Sequence, residues 1–386
     1  MVRTKVNAAS TRGAGYARFL VLLLSAVSSA AACAQVPAAA TDVQQLIARL
    51  GLHEADEPLS ASNRWHKPKL IVVRDPGDAE HRAGLQAAAP GVKLVFAADN
   101  AAAMSAAADA DALIGLCTPE IVARAAHVYW IQLLSAGVER CVGIPAVAER
   151  GLLVTNMQRV AGPVMAEHVI ALTFALARDL PAYISAQASG HWEPEPRGSV
   201  RAVSLEGKTL LVAGLGGIGV EVARRAHALG MRVIATRASG REGPDFVSYV
   251  GLADEMPKLL GEADVVVNTL PLTEQTKHTF DARAFSAMKP GAFFVNVGRG
   301  GTVVTDDLVN ALRQSRLGGA ALDVTDPEPL PPDHPLWHLP NVIITPHVSS
   351  DSEFDQDRHW TIARENLRRY VAGERMLSVV DVKRGY

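Results

Sequence analysis

The amino-acid sequence predicts an α/β protein built from two doubly wound parallel-sheet domains. Three observations carry this. Near-continuous apolar runs of strand length alternate with Ala-rich stretches of helical spacing, the pattern of a parallel sheet covered on both faces. The alternation stops after an apolar helical stretch at 165–178 and a turn-rich segment with Pro194, Pro196 and Gly198, and then restarts. The second set opens on a glycine-rich loop between a strand and a helix. A length of 386 residues suits two domains of ordinary size.

Residues 1–34 stand apart from the rest. Arg3, Lys5, Arg12 and Arg18 are basic, no residue there is acidic, and an apolar run at 19–27 leads to Ala32-Cys33-Ala34. A positive start, a short apolar run and a small-x-small site read as a signal peptide. The expectation is an exported, periplasmic chain; a plain amino-terminal extension on a cytoplasmic protein is the alternative. The run is too short for a permanent anchor, so no membrane association is expected of the mature form. Without the leader, 34 basic residues face 40 acidic ones, a net charge of about −6. A mildly acidic chain argues against nucleic acid as a partner, since that needs a basic face. Cys117 and Cys141 remain. Their spacing makes neither a zinc site nor a disulfide framework. They read as small buried residues, although an oxidising compartment would permit a single bridge. No metal site is expected.

A polar helix at 42–52 and a linker rich in Pro, Ser and Asn precede the first strands, at 70–74, 94–96, 112–116, 130–134 and 152–156. After the restart come strands at 209–213, 232–236, 264–270, 292–297, 320–324 and 342–345, six in all, as a complete dinucleotide-binding sheet requires. The tail at 352–371 is again helical.

Three of the four glycines of the loop Gly214-Leu215-Gly216-Gly217-Ile218-Gly219 have a physical task. The first permits the tight turn, the second admits a pyrophosphate to the backbone, and the last lets helix and strand approach. The helix start offers free N–H groups to the anion. Gly214, Gly216, Gly217, Ile218 and Gly219 are therefore cofactor-binding candidates. At the end of the next strand stand Thr236 and Arg237, with Arg241 nearby. A carboxylate there would hold the ribose 2′-hydroxyl of NAD. A guanidinium suits a 2′-phosphate, so NADP is the expected cofactor and NAD the alternative.

Ligands of open α/β sheets sit at the carboxyl ends of strands. Three charged or titratable residues follow such ends: Arg299 in Gly298-Arg299-Gly300, Glu328 in Asp326-Pro327-Glu328-Pro329, and His347 after Pro346. Together they supply what reduction of a carbonyl needs. A histidine can protonate the oxygen near neutral pH, a carboxylate orients the ring and favours the imidazolium, and an arginine grips a carboxylate in a bidentate fork.

The stretches GKTLLVAGLGGIG (207–219), TLPLTEQT (269–276), MKPGAFFVNVGRG (288–300), GAALDVTDPEPL (319–330) and LPNVIITPHVSS (339–350) together resemble the D-isomer-specific 2-hydroxyacid dehydrogenases, of the glyoxylate/hydroxypyruvate reductase type. WIQLLSAGVE (130–139) and AEHVIALTFALAR (166–178) extend the likeness, which covers roughly 68–375. The resemblance implies hydride transfer between NAD(P)H and a small 2-oxo acid or D-2-hydroxy acid, with Arg299, Glu328 and His347 as the catalytic trio. It implies that Ser135, Ala136 and Gly137 grip the substrate carboxylate together with Arg299. It puts Leu270, Pro271, Val297, Gly298, Asp323 and His347 at the cofactor, Asp323 near the nicotinamide carboxamide. It further implies a Rossmann cofactor domain (166–346) inserted into a flavodoxin-like substrate domain (67–165 and 347–386), and a homodimer. Arg237 departs from the acidic residue of NAD-using members. The same scaffold serves formate and phosphite dehydrogenases and nucleotide-sensing corepressors; Glu328 argues against the formate type, which carries Gln there. His168, on the apolar helix, reads as a satisfied core residue, and His334 and His338 as ordinary loop residues.

Overall fold

Runs of Val, Ile, Leu and Ala that can be buried on both faces become the strands of two parallel sheets in the computed structural model, which describes residues 43–192, 194 and 202–385. The expected leader at 1–34, and Pro196 and Gly198 of the expected turn, lie outside the described residues. The first sheet holds β1 (Leu70–Arg74), β2 (Lys93–Ala97), β3 (Ala112–Ile114), β4 (Trp130–Gln132) and β5 (Leu153–Thr155), in the order β2-β1-β3-β4-β5. This is the flavodoxin-like order. Ile71, Val72, Leu113 and Ile131 are fully buried, as central parallel strands require.

The second sheet holds β6 (Thr209–Ala213), β7 (Arg232–Thr236), β8 (Tyr249–Gly251), β9 (Val265–Asn268), β10 (Ala292–Asn296), β11 (Leu317–Leu322) and β12 (Val342–Ile344). Their order is β12-β11-β10-β9-β6-β7-β8. The Rossmann order is therefore present with a seventh strand, and the chain reverses direction of growth between β6 and β9. Seven strands replace the expected six. The addition, β8, is a three-residue edge strand that ends in glycine, too short to show a period. β11 also begins three residues earlier than expected, because Gly318 and Gly319 conceal it. A Cβ at Gly318 would lie 2.5 Å from Gly291 O, and one at Gly319 would lie 2.8 Å from Asn341 O, so neighbouring backbone admits only glycine.

Alternation along β6 builds a core on each face. Leu210 and Val212 join the cluster under helices Gly162–Ala177 and Gly217–Ala228, while Leu211 points to the opposite cluster around Phe280, Phe285 and Phe294. The carboxyl ends stay in register: Ala213 pairs with Thr236 and with Asn268, Asn268 with Asn296, Asn296 with Leu322, and Leu322 with Ile344. Loops from these strands thus leave along a single edge.

The tail completes the first sheet's core. Helix Asp355–Ala372 contributes Trp360, Ile362, Leu367 and Tyr370 to the cluster around Ile71 and Trp130, and the Trp130 and Tyr370 rings lie 4.6 Å apart. Full burial of such side chains is worth roughly 1.5–3 kcal/mol each. Asn366 fastens the junction: its amide donates to Gln132 Oε1 at 2.7 Å and its oxygen accepts from the Leu377 amide at 2.9 Å.

Cys117 and Cys141 form a disulfide, with Cα atoms 5.5 Å apart. It corrects the reading of two separate small buried residues. The pairing joins the loop after β3 to helix Glu139–Val142, so 24 residues of separation in sequence disappear in the fold. Among the described residues no single helix is long and apolar enough to cross a membrane, and no cluster of three His, Cys, Asp or Glu residues could hold a metal.

Candidate active site

The glycine loop lies where the second sheet reverses. Gly214 has φ +98°, a left-handed value that favours glycine. A Cβ at Gly219 would clash with Gly214 O and stand 2.8 Å from Val212 Cγ1, so helix and strand could not close up. At Gly216 a Cβ would meet nothing within 4 Å, and no side chain caps helix Gly217–Ala228, which begins beside it. An open backbone curve before uncapped helical N–H groups fits a dinucleotide pyrophosphate. Thr236 Oγ1 accepts from the Gly214 amide at 3.3 Å and fixes the turn.

Arg237 follows β7 and is partly exposed. Its Nε donates to Ser239 Oγ at 2.8 Å and its Nη1 to Glu242 O at 3.0 Å. Arg241 points elsewhere. It meets Glu255 Oε2 at 2.6 Å and Tyr249 OH at 3.1 Å. The Tyr249 hydroxyl, the Leu252 amide and Arg241 hold the Glu255 carboxyl down at about 2. Arg241 is thus neutralised by an acid, and Arg237 carries the positive edge of this strand end.

Beyond β9 and β10 a buried polar network shapes the next loops. Asn268 Nδ2 donates to Asn296 Oδ1 at 2.9 Å and to Thr302 Oγ1 at 2.7 Å; Thr302 Oγ1 donates to Arg299 O at 2.7 Å. Asn296 Oδ1 also accepts from the Gly298 amide at 3.1 Å. Val297 is buried, its amide bonded to Asn268 O, and a Cβ at Gly298 would lie 2.7 Å from Leu270 O. The loops bearing Leu270-Pro271 and Val297-Gly298 are therefore packed together. None of Asn268, Asn296 or Thr302 was legible as a site residue; apolar strands that end in Asn were the available signal.

Arg299 leaves this scaffold towards the first sheet. Its Nη1 donates to Gly298 O at 2.7 Å and its Nε to Glu139 Oε1 at 3.1 Å. A Cβ at Gly137 would clash with Arg299 Nη2, so the arginine lies against the loop after β4. That loop is held from below: Asn156 Nδ2 donates to Ala136 O at 2.7 Å and the Met157 amide to Ser135 O at 3.0 Å. Ser135 and Ala136 are exposed, with Ser135 Oγ donating to Gly137 O at 2.8 Å.

His347 and Glu328 meet, with Nδ1 2.7 Å from Oε1, on two half-exposed side chains. With Nδ1–H donated to the carboxylate, Nε2 is the nitrogen that can face a substrate oxygen. The His347 backbone, at φ +57°, donates to Asp323 O at 2.9 Å. Glu328 stands between Pro327 and Pro329, both following cis peptide bonds. A Cβ at Gly300 would clash with Thr325 O, so the loops of Arg299 and Glu328 also touch.

Asp323 is only 2% exposed. Its Oδ1 accepts from Thr345 Oγ1 at 2.6 Å and from the Val348 amide at 3.0 Å, and its Oδ2 from the Ser349 amide at 3.1 Å. Asp323 thus spends its carboxylate on the segment that carries His347. His168 Nε2 lies 3.1 Å from Thr345 Oγ1, a satisfied histidine as expected. His334 Nδ1 accepts from the Leu336 amide at 3.3 Å and caps a short turn.

Comparison with known proteins gives one result by three routes. The model of the family described as D-isomer specific 2-hydroxyacid dehydrogenase, NAD binding domain, matches residues 170–349. A glyoxylate reductase of Thermofilum pendens is 32% identical over 278 residues, 71% of this chain and 82% of its own length. A D-3-phosphoglycerate dehydrogenase of Methanocaldococcus jannaschii is 33% identical over 278 residues, 71% of this chain, and the match spans about half (52%) of that protein. Among solved structures, an NADPH-dependent glyoxylate/hydroxypyruvate reductase of Sinorhizobium meliloti, in complex with NADP and sulfate, matches with a TM-score of 0.71. It is 27% identical, over 82% of this chain and 100% of that one.

Proposed function

The chain belongs to the D-isomer-specific 2-hydroxyacid dehydrogenase family, and from that premise we propose that it reduces small 2-oxo acids of the glyoxylate and hydroxypyruvate type with NADPH. As a member it is an NAD(P)-dependent oxidoreductase. The observation that carries the reading is the His347–Glu328 pair, at 2.7 Å, beside a loop that aims Arg299 at Gly137.

The bound dinucleotide supplies the hydride. Arg299 and the backbone around Ser135, Ala136 and Gly137 hold the substrate carboxylate and fix which face of the carbonyl is presented. His347 Nε2 gives its proton to the carbonyl oxygen as that oxygen gains charge, and Glu328 keeps the ring oriented and stabilises the imidazolium that donates. Arg237 favours NADPH, since its guanidinium stands where the ribose 2′-substituent is read. Initial rates with glyoxylate, hydroxypyruvate, pyruvate and 3-phosphohydroxypyruvate, each with NADPH and NADH, test the reading. The first two with NADPH are expected to be fastest; fastest turnover of the phosphorylated acid would refute it.

Three further parts belong to the same proposal. The cofactor domain is 166–346, inserted between 67–165 and 347–386; separate expression of 166–346 with dinucleotide-binding measurement tests it, and an unfolded product counts against it. The protein is a homodimer: Leu180, Tyr183 and Ile184 on helix Leu180–Ala188 are exposed, and a second copy would cover them. Light scattering should give twice the mass of the chain measured, which is 40.9 kDa for all 386 residues and less without the leader; a monomer at micromolar concentration rejects it. The protein is exported, and the Cys117–Cys141 bridge supports that, because such bridges persist in oxidising compartments. A reporter active only outside the cytoplasm, fused after residue 40, should give signal; a silent fusion rejects export.

A further inference from the structure

The Cys117–Cys141 bridge joins two neighbouring loops of the first sheet, and its two halves rest on unequal supports. Cys117 stands on a fixed base. Beside it the Gly115 amide donates to Gln132 O at 2.7 Å, and Thr118 Oγ1 accepts from the Ile121 amide at 3.4 Å, capping helix Pro119–Arg124. A Cβ at Gly115 would lie 2.7 Å from Leu134 Cδ1, one residue before Ser135, so the loops after β3 and β4 are in contact.

Cys141 lies on helix Glu139–Val142, four residues with no side-chain cap, far short of the length at which a helix holds itself in water. Its backbone bonds stay within the segment: the Cys141 and Val142 amides go to Val138 O, and the Gly143 amide to Glu139 O. Val138, Cys141 and Ile144 are buried, but apolar burial is non-directional and leaves open how the turn is rotated. That rotation matters at the site. Glu139 accepts from Arg299 Nε at 3.1 Å, and Gly137, two residues earlier, lies against Arg299 Nη2. The bridge adds a covalent tie from this turn to the fixed loop of Cys117.

We propose that Cys117 and Cys141 are positioning residues. Closed, their bridge sets helix Glu139–Val142 so that Glu139 holds Arg299 against Gly137; opened, the enzyme grips its 2-oxo acid poorly while the dinucleotide still binds. This rests on the 2-oxo acid reading of the site. The glycine loop at 214–219 belongs to the other sheet, so cofactor binding is untouched. An enzyme built in this way works fully only where thiols are oxidised.

The test uses the full enzyme, reduced with a trialkylphosphine and desalted before assay. The phosphine takes the oxygen of one water as the two sulfurs become thiols, which a thiol titration counts. Reduction should raise the KM for glyoxylate at least about tenfold, since a misplacement of about an ångström costs up to about a hundredfold. The KM for NADPH should stay unchanged. Oxidised glutathione, which takes up two electrons and two protons to give two glutathione thiols, should restore the starting value. Cys117→Ser combined with Cys141→Ser should match the reduced enzyme and ignore the phosphine. In Glu139→Ala, which has already lost the contact to Arg299, reduction should change the KM for glyoxylate less than about twofold, the usual margin of additivity. An unchanged KM for glyoxylate in reduced, folded enzyme would overturn the proposal, as would the full effect in Glu139→Ala. Unfolding or lost NADPH binding on reduction would overturn it too, because the bridge would then hold the fold rather than the grip. If oxidised wild type turns over no 2-oxo acid, the proposed function fails instead. Calorimetry of oxamate with the NADPH complex, oxidised against reduced, then decides the role of the bridge by the same factor.

Discussion

His347 is fixed from two sides: its ring by Glu328 at 2.7 Å, and its backbone, at φ +57°, by Asp323 O at 2.9 Å. The ring is therefore placed before substrate binds. His347→Ala should lower carbonyl reduction by about 10² to 10⁴-fold, the usual range for a general acid, while NADPH binds as in wild type. Stopped-flow rates with fluorescence titration of NADPH check both halves; lost cofactor affinity would make His347 structural. Arg237 gives a second expectation. A charge-assisted contact to a 2′-phosphate is worth about 1.5–3 kcal/mol, so NADPH should be favoured over NADH about ten- to a hundred-fold. Arg237→Asp should invert the ratio of kcat/KM values, and equal use of both by wild type would put Arg237 in solvent. Arg241 should matter little, because Glu255 occupies it at 2.6 Å. At this scale Arg299, Glu328 and His347 were legible, because charged residues after apolar strands are rare enough to notice. Glu139 was not. It meets Arg299 across 160 residues of chain, and no local pattern says which acid a distant arginine will find.

The loops that carry these residues are tied down by buried polar groups at the ends of apolar strands. Asp323, at the end of β11, ties down Thr345, Val348 and Ser349 on either side of His347. Burial pushes its carboxyl up, but hydrogen bonds from Ser349, Thr345 and Val348 outweigh that and keep it below the ordinary 3.8. A group lowered on folding stabilises the fold above its unfolded value and loses that contribution as pH falls through the lower folded value. Asp323→Asn should therefore cost about 1–3 kcal/mol near neutral pH, as expected for donors left without an acceptor. The gap in Tm from wild type should shrink once pH drops below about 3.8, the ordinary value. A gap that stays constant from neutral to acid would remove Asp323 from this role. The helices and the long strands were legible from their apolar periods. β8 and the start of β11 were not: three residues show no period, and Gly318 and Gly319 read as loop although crowding by Gly291 O and Asn341 O is what demands them.

Across the whole molecule, two parallel sheets each present the carboxyl ends of their strands, and Arg299 and Glu139 bind one sheet's loops to the other's. The count of two doubly wound units was legible from the restart of the strand–helix alternation near residue 207. Strand order was not, because alternation alone is the same for the flavodoxin-like and the Rossmann arrangement; the glycine loop and the resemblance supplied it. The Cys117–Cys141 bridge stayed open in the sequence, since only the fold brings the loop after β3 to helix Glu139–Val142. The central claim is that this arrangement presents one face of a 2-oxo acid to the cofactor, with Arg299 and Gly137 setting the face and His347 the proton. Hydroxypyruvate tests it most directly, because its reduction creates a stereocentre. Incubation with NADPH followed by chiral chromatography should give D-glycerate alone, with one NADPH consumed per molecule formed, and His347→Ala should slow its formation by about 10² to 10⁴-fold. Formation of L-glycerate, a racemic mixture, or no glycerate from folded, NADPH-binding protein would contradict the account.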